Sequence, residues 1–141
     1  MPDALICLDA GLVVRLVVDS ADTRLLHQWR QWEAGGRIIT APALVYYEVA
    51  NALYHYQKRR LLSPELVEAA LATALALPIR LHIEADLHLP ALRLAQRFDL
   101  PATYDAHYLA LAEYLGAEFW TADRRLAQSV QSQLTWVHIY P

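Results

Sequence analysis

Five short apolar runs, each separated from the next by a stretch of helical character, set the architecture available to this 141-residue chain. They occupy positions 4–8, 37–40, 79–83, 118–121 and 134–139. The first is wholly apolar and stops at Asp9. A run of that kind suits a strand buried on both faces, as in a parallel sheet. Helices fit the intervening stretches. Asp22 is a plausible N-cap for a helix through Ala34, and Pro42 suits the first turn of a long helix over 43–60. Ser63-Pro64-Glu65 caps a helix through Leu77. Asp86 is placed to cap a helix over 87–98. Thr103 or Asp105 opens one over 104–115 that Gly116 closes, and Asp123 caps a last one over 124–131. This pattern predicts an α/β fold, a three-layer α/β/α sandwich around a mostly parallel sheet of about five strands with right-handed crossovers.

The length fits a single domain spanning 1–141 with no linker. Apolar residues make up 56% of the chain, which excludes a disordered polypeptide. Cys7 is the only cysteine, so neither an intramolecular disulfide nor a cysteine-based zinc site is available. A reducing, cytoplasmic setting is the expectation. Asp3 and Asp9 precede the first basic residue, Arg15, the wrong charge order for a secretory signal. No apolar stretch reaches the length of a membrane span. Net charge is −3, so bulk electrostatics do not advertise nucleic-acid binding. A protein of this charge that handles a phosphate backbone needs local basic residues or a bound cation. Of its 12 basic residues all but Lys58 are Arg, the side chain suited to planar, bidentate phosphate contacts.

In open parallel sheets ligands bind beyond the carboxyl ends of the strands. Asp9 follows the first run and Asp123 follows the fourth. Asp105 belongs to the first turn of a helix, and Glu48 to the long helix after the second run. Each acid has a structural reading: Asp9, Asp105 and Asp123 as helix caps, Glu48 as part of a solvated face. Glu48 fits its own least well, because its neighbours Leu44, Val45, Tyr46, Tyr47, Val49, Ala50 and Ala52 are apolar. A charge in that setting needs a partner. Four clustered carboxylates repel one another, and a hard cation compensates them. Oxygen donors select Mg²⁺ or Mn²⁺. Such ions activate water and stabilise the leaving oxygen of a phosphodiester.

These segments resemble the PIN-domain family, and within it the VapC-type toxin ribonucleases of toxin–antitoxin pairs. The likeness lies in Leu8-Asp9-Ala10, in Tyr47 to Leu53 with its Glu48-x-x-Asn51, in Thr103 to Ala112 around Asp105, and in Trp120 to Leu126 around Asp123. The segments occur in the family's order across almost the whole chain. The resemblance implies that Asp9, Glu48, Asp105 and Asp123 form a metal-binding catalytic site. It implies that Thr121 supports the site through its hydroxyl, and that Asn51 fills a polar position one helical turn from Glu48. It further implies divalent-metal-dependent endoribonuclease (hydrolase) activity, an RNA substrate, an antitoxin partner and a homodimer. Gly11 departs from the pattern, since the family often carries Ser or Asn there.

Other residues extend the reading. Glu48, Asn51, His55 and Arg59 share one helix stripe. Arg59, Arg124 and Arg125 are candidates for RNA phosphate contacts, with ordinary surface charge as the alternative. His107 points away from Asp105 on a helix and is not expected to ligate a metal. His27, His82, His88 and His138 show no metal-motif spacing. Tyr46, Tyr47, Tyr54, Tyr56, Trp29 and Trp32 divide among core, protein interface and RNA contact. Two other functions compete. A receiver domain needs a Lys near its last strand, and Lys58 lies mid-chain. A non-catalytic RNA- or protein-binding module has no need of the intact acidic set.

Overall fold

The computed structural model describes residues 4–18 and 23–141. Its five strands are β1 (Leu5–Leu8), β2 (Ile38–Pro42), β3 (Ile79–His82), β4 (Glu118–Thr121) and β5 (Val137–Ile139). They form one all-parallel sheet in the order β3-β2-β1-β4-β5. Among the described residues seven α-helices connect them: α1 (Ala10–Val18), α2 (Thr23–Ala34), α3 (Leu44–Lys58), α4 (Pro64–Leu75), α5 (His88–Phe98), α6 (Tyr104–Leu115) and α7 (Arg124–Val130).

Alternation along the strands feeds two cores. Ile6, Leu8 and Ile39 pack on one face of the sheet with Leu25, Trp29 and Trp32 of α2. Cys7, Ala41, Phe119 and Val137 face the other way, into a larger core with α3, α4, α5 and α6. The tryptophans of α2 are therefore core, and Trp32 meets Trp120 edge to face at 5.4 Å. Helix α1 contributes to both layers, with Leu12 on one side and Val13 and Val14 on the other. An ion pair between Arg37 and Glu118 ties β2 to β4 across the amino end of β1.

Ser63 caps α4 by accepting from the Leu66 N–H at 3.2 Å, and Pro64 opens the helix. Gly116 ends α6 at φ +65°, a left-handed conformation that costs a glycine little. Two local expectations need correction, and one helix was missed. Pro42 is not in a helix but closes β2, paired with His82, where the ladder needs no further donor from it. Asp86 caps nothing: a 3₁₀ turn over Ala85–Leu87 intervenes and places Leu87 at the cap of α5. Helix α1 was not anticipated, because Ala-Gly-Leu-Val-Val-Arg-Leu-Val-Val reads as β-branched sequence. The proposed cap at Asp22 lies outside the described residues.

The strand order decides where a site can form. The chain leaves β1 toward β2 and β3 on one side and returns to β4 and β5 on the other. The crevice at such a switch point, beyond the carboxyl ends of β1 and β4, is the standard ligand position of open α/β sheets.

Candidate functional site

Asp9 sits at that switch point. It follows β1 directly, and its N–H donates to the Trp120 carbonyl of β4 at 3.3 Å. Its side chain is 9% exposed. One oxygen, Oδ1, accepts from the Leu12 N–H at 3.0 Å and so starts α1. The other, Oδ2, accepts from the Thr121 hydroxyl. Thr121, fully buried, in turn accepts the Asp123 N–H at 2.9 Å. A hydrogen-bonded chain therefore runs from the Asp123 backbone through Thr121 to Asp9.

Asp123 caps α7, its Oδ1 accepting from the Leu126 N–H at 3.1 Å. Asp105 occupies the first turn of α6 without capping it, for Thr103 at the cap position makes no side-chain bond. Glu48 projects from α3, half-buried, and receives a 2.7 Å hydrogen bond from the Tyr108 hydroxyl of α6. The cap reading thus holds for Asp9 and Asp123 and fails for Asp105, and the solvated-face reading fails for Glu48, which is half-buried and bonded to Tyr108.

The four acids share one electrostatic neighbourhood. Burial pushes the Asp9 carboxyl up to about 6, against the opposing hydrogen bonds from Thr121 and Leu12, and the charges of Asp105 and Asp123 push it further. Asp105 is raised by burial first and then by Asp123 and Glu48. Like charges that raise one another's proton affinity favour a cation between them. The donor set is all carboxylate oxygen, which suits a hard divalent ion. Among the described residues no three such side chains are yet drawn up into a ready-made cage.

Tyr108 was not singled out by sequence reasoning. It is 1% exposed, and burial followed by the adjoining Glu48 carboxylate holds its phenol well above the ordinary range. It therefore stays a protonated donor and fixes where Glu48 points. The only sequence signal was a large polar-tipped residue one turn after Asp105, on the same helix face.

The stripe on α3 lines a cleft. Glu48, Asn51 and His55 border a cavity of about 600 Å³ together with Gly11, Arg15 and Tyr56. Arg59 lies exposed at the C-terminal cap of α3, beyond that lining. Arg124 and Arg125 are exposed in the first turn of α7, directly after Asp123. Gly11 faces Asp9: a Cβ there would stand 3.5 Å from Oδ1, ordinary contact. His107 turns away from Asp105, donating from Nδ1 to the Thr103 carbonyl at 2.7 Å. His88, which showed no sequence relation to it, lies 2.9 Å from its Nε2. Tyr47 and Tyr54 are exposed, whereas Tyr46 is partly buried with its hydroxyl on the Ala74 carbonyl.

The chain is similar to known proteins in sequence and in fold. The chain is 33% identical over 94 residues to Ribonuclease VapC3 of Pyrobaculum aerophilum, a match covering 65% of this chain and 71% of that protein. Its fold is similar to that of a toxin–antitoxin complex from Klebsiella pneumoniae, with a TM-score of 0.63 and 18% identity over 94% of this chain and 95% of that one. It is also similar to Mycobacterium tuberculosis VapC20, a sarcin-ricin loop cleaving toxin, with a TM-score of 0.62 and 20% identity over 89% and 95%. The PIN domain model matches residues 6–129, and this chain belongs to the PIN domain family.

Proposed function

We propose that the chain is a metal-dependent endoribonuclease, read as one nuclease domain over 1–141, and the toxin of a toxin–antitoxin pair. The observation that carries the proposal is the acidic cluster at the switch point, where Asp9 and Asp105 are each raised in proton affinity by burial first and then by other members of the set. The names of its relatives, Ribonuclease VapC3 and a sarcin-ricin loop cleaving toxin, support RNA as the substrate. The toxin–antitoxin neighbour supports a protein antitoxin as partner. A homodimer belongs to the same reading.

In this reading Asp9, Asp105 and Asp123 hold Mg²⁺ or Mn²⁺, with Glu48 completing the set. When bound, the ion supplies charge neutralisation at the scissile phosphate and activation of water. The chain's own contributions follow from the geometry. Thr121 orients the Asp9 carboxylate through its hydroxyl and is itself fixed by the Asp123 N–H. Tyr108 orients Glu48. Asn51 and His55 line the adjoining cleft, and Arg124 and Arg125 stand beside Asp123 to meet the phosphate backbone. In-line hydrolysis leaves a 5′-phosphate and a 3′-hydroxyl.

The test incubates purified protein, freed of any co-purified partner, with total cellular RNA and Mg²⁺ or Mn²⁺. Discrete fragments with 5′-phosphates are expected, lost on adding EDTA and in Asp105→Ala. Asp105 caps no helix, so its removal should leave the fold intact. Cleavage by Asp105→Ala at the wild-type rate overturns the assignment of the site.

A further inference from the structure

The cleft between α1 and α3 opens directly beside the acidic site. Its volume of about 600 Å³ lies well above the ~300 Å³ at which small-molecule pockets begin. Glu48 belongs to its lining, and so does Gly11, two residues after Asp9. On the α3 side Asn51 and His55, both exposed, stand about one and two helical turns beyond Glu48. On the α1 side the wall is low. Ala10 and Gly11 come first, and Arg15 stands one turn further, its guanidinium carbon 5.6 Å from the centre of the Tyr140 ring.

Nothing in the fold requires a glycine at position 11. Gly11 lies in helix α1, where glycine is among the least favourable residues. Among the described residues the glycines with a left-handed φ are Gly36 and Gly116, so Gly11 uses no conformation closed to other residues. Apart from its own helix and its chain neighbours, a Cβ built there meets only the Asp9 carboxyl, at 3.5 Å from Oδ1 and 4.0 Å from Cγ. Beyond that contact lies open space. Gly11 is exposed and lines the cleft, so this space is the mouth of the cleft next to the carboxylate. A side chain at position 11 would fit the fold and would stand in that mouth.

Glycine is the residue that lets a ligand come close to the main chain. An RNA strand cut beside Asp9 continues on both sides of the scissile phosphate. One side needs a path away from the acids, and the cleft is contiguous with them through Glu48 and Gly11. Its border carries a guanidinium, an amide and an imidazole, side chains suited to the oxygens of a sugar–phosphate.

We infer that the α1–α3 cleft seats the sugar–phosphate of a nucleotide flanking the cut, and that Gly11 is the position that admits it beside Asp9. This rests on the nuclease reading of the acidic cluster and adds the face by which the RNA leaves the site. A side chain at position 11 obstructs the strand and leaves the chemistry at the acids alone.

The first measurement compares wild type, Gly11→Ala and Gly11→Leu on two substrates in Mn²⁺. One is RNA, and the other is bis(p-nitrophenyl) phosphate, a phosphodiester with no flanking nucleotide. Gly11→Leu should lower kcat/KM for RNA on the order of 100-fold, the cost of misplacing a substrate by about 1 Å. Gly11→Ala, which adds a single methyl, should show a smaller loss in the same direction. Both variants should hydrolyse the small diester at the wild-type rate and unfold at a Tm no lower than wild type, which separates an obstructed cleft from a damaged Asp9. RNA cut by both variants at the wild-type kcat/KM overturns the inference, and so does equal slowing on both substrates. The second measurement follows the His55 ring signals by NMR in Mg²⁺ as adenosine 5′-monophosphate is added. They should move in wild type and stay in Gly11→Leu, while those of His138 on β5 stay in both. His55 signals that ignore the nucleotide in wild type, or that move equally in both proteins, overturn the cleft as its seat. A wild type that hydrolyses neither RNA nor the small diester refutes the nuclease reading instead, and the titration still decides the cleft.

Discussion

Asp9→Asn should make the metal-free protein more stable at neutral pH, at the expense of the site. The folded chain raises the Asp9 carboxyl from 3.8 to about 6, about two pKa units. At roughly 1.4 kcal/mol per unit this is about 3 kcal/mol. The folded-state value lies above the unfolded one, so the folded protein holds the proton more tightly. The favourable contribution is complete below pH 4 and is lost as pH rises through 6. Above that pH the wild type carries a desolvated carboxylate and the asparagine variant carries none. Part of the gain is offset because an amide has a single acceptor oxygen: it can keep the Leu12 N–H but must turn its NH2 toward the Thr121 oxygen, which loses the hydroxyl's bond to Asp9 at a cost of about 1–2 kcal/mol. A net gain of about 1–2 kcal/mol at pH 8 corresponds to a rise of several degrees in Tm for a domain this size. The assay is thermal unfolding by circular dichroism in EDTA, from pH 4 to pH 8, for both proteins. The two curves should converge near pH 4 and separate above pH 6. A variant no more stable than wild type at pH 8, or a difference that ignores pH, refutes the argument. Excess Mg²⁺ should then raise the wild-type Tm and leave the variant's where it was.

Tyr108→Phe removes the only hydrogen bond described for Glu48 that comes from α6. Single-turnover cleavage should fall roughly tenfold or more, in line with about 1.5–3 kcal/mol for a hydrogen bond to a charged group. An unchanged rate separates Tyr108 from the chemistry. Arg124→Ala and Arg125→Ala should each weaken RNA binding without regard to sequence, and each should reduce the slope of log affinity against log salt by roughly 0.7–1. Fluorescence anisotropy at several salt concentrations measures this, and a parallel slope removes the arginine from the interface. Gly116→Ala meets no atom within 4 Å, so its effect comes from the left-handed φ alone. Urea unfolding should register a loss of about 1 kcal/mol, and no loss would show that the turn relaxes.

The strands were legible because a parallel sheet covered on both faces demands short, continuous apolar runs, and the Asp after β1 marks an abrupt end. Helix α1 was not legible. Its valines have the propensity of a strand, and what makes it a helix is tertiary: its start is fixed by the Asp9 carboxylate, and both its sides find core. Asp86 misled because local capping chemistry does not reveal whether an α-helix or a 3₁₀ turn begins there. The four acids could be found from strand ends and family segments alone. Tyr108 reaching Glu48, 60 positions away, and His88 reaching His107 depend on how α3, α5 and α6 cross, and no spacing rule carries that information.

The bond between Thr121 and Asp9 joins residues 112 positions apart, and the strand that brings Thr121 to Asp9 slides in beside the first strand made. During synthesis the nascent polypeptide carries Asp9, Glu48 and Asp105 long before it carries Thr121 and Asp123. Nothing yet orients Asp9 from the β4 side, and the fourth carboxylate does not exist. In the nuclease reading proposed above, the acidic set is complete and its Asp9 held from both sides only once residues 118–123 have docked beside β1.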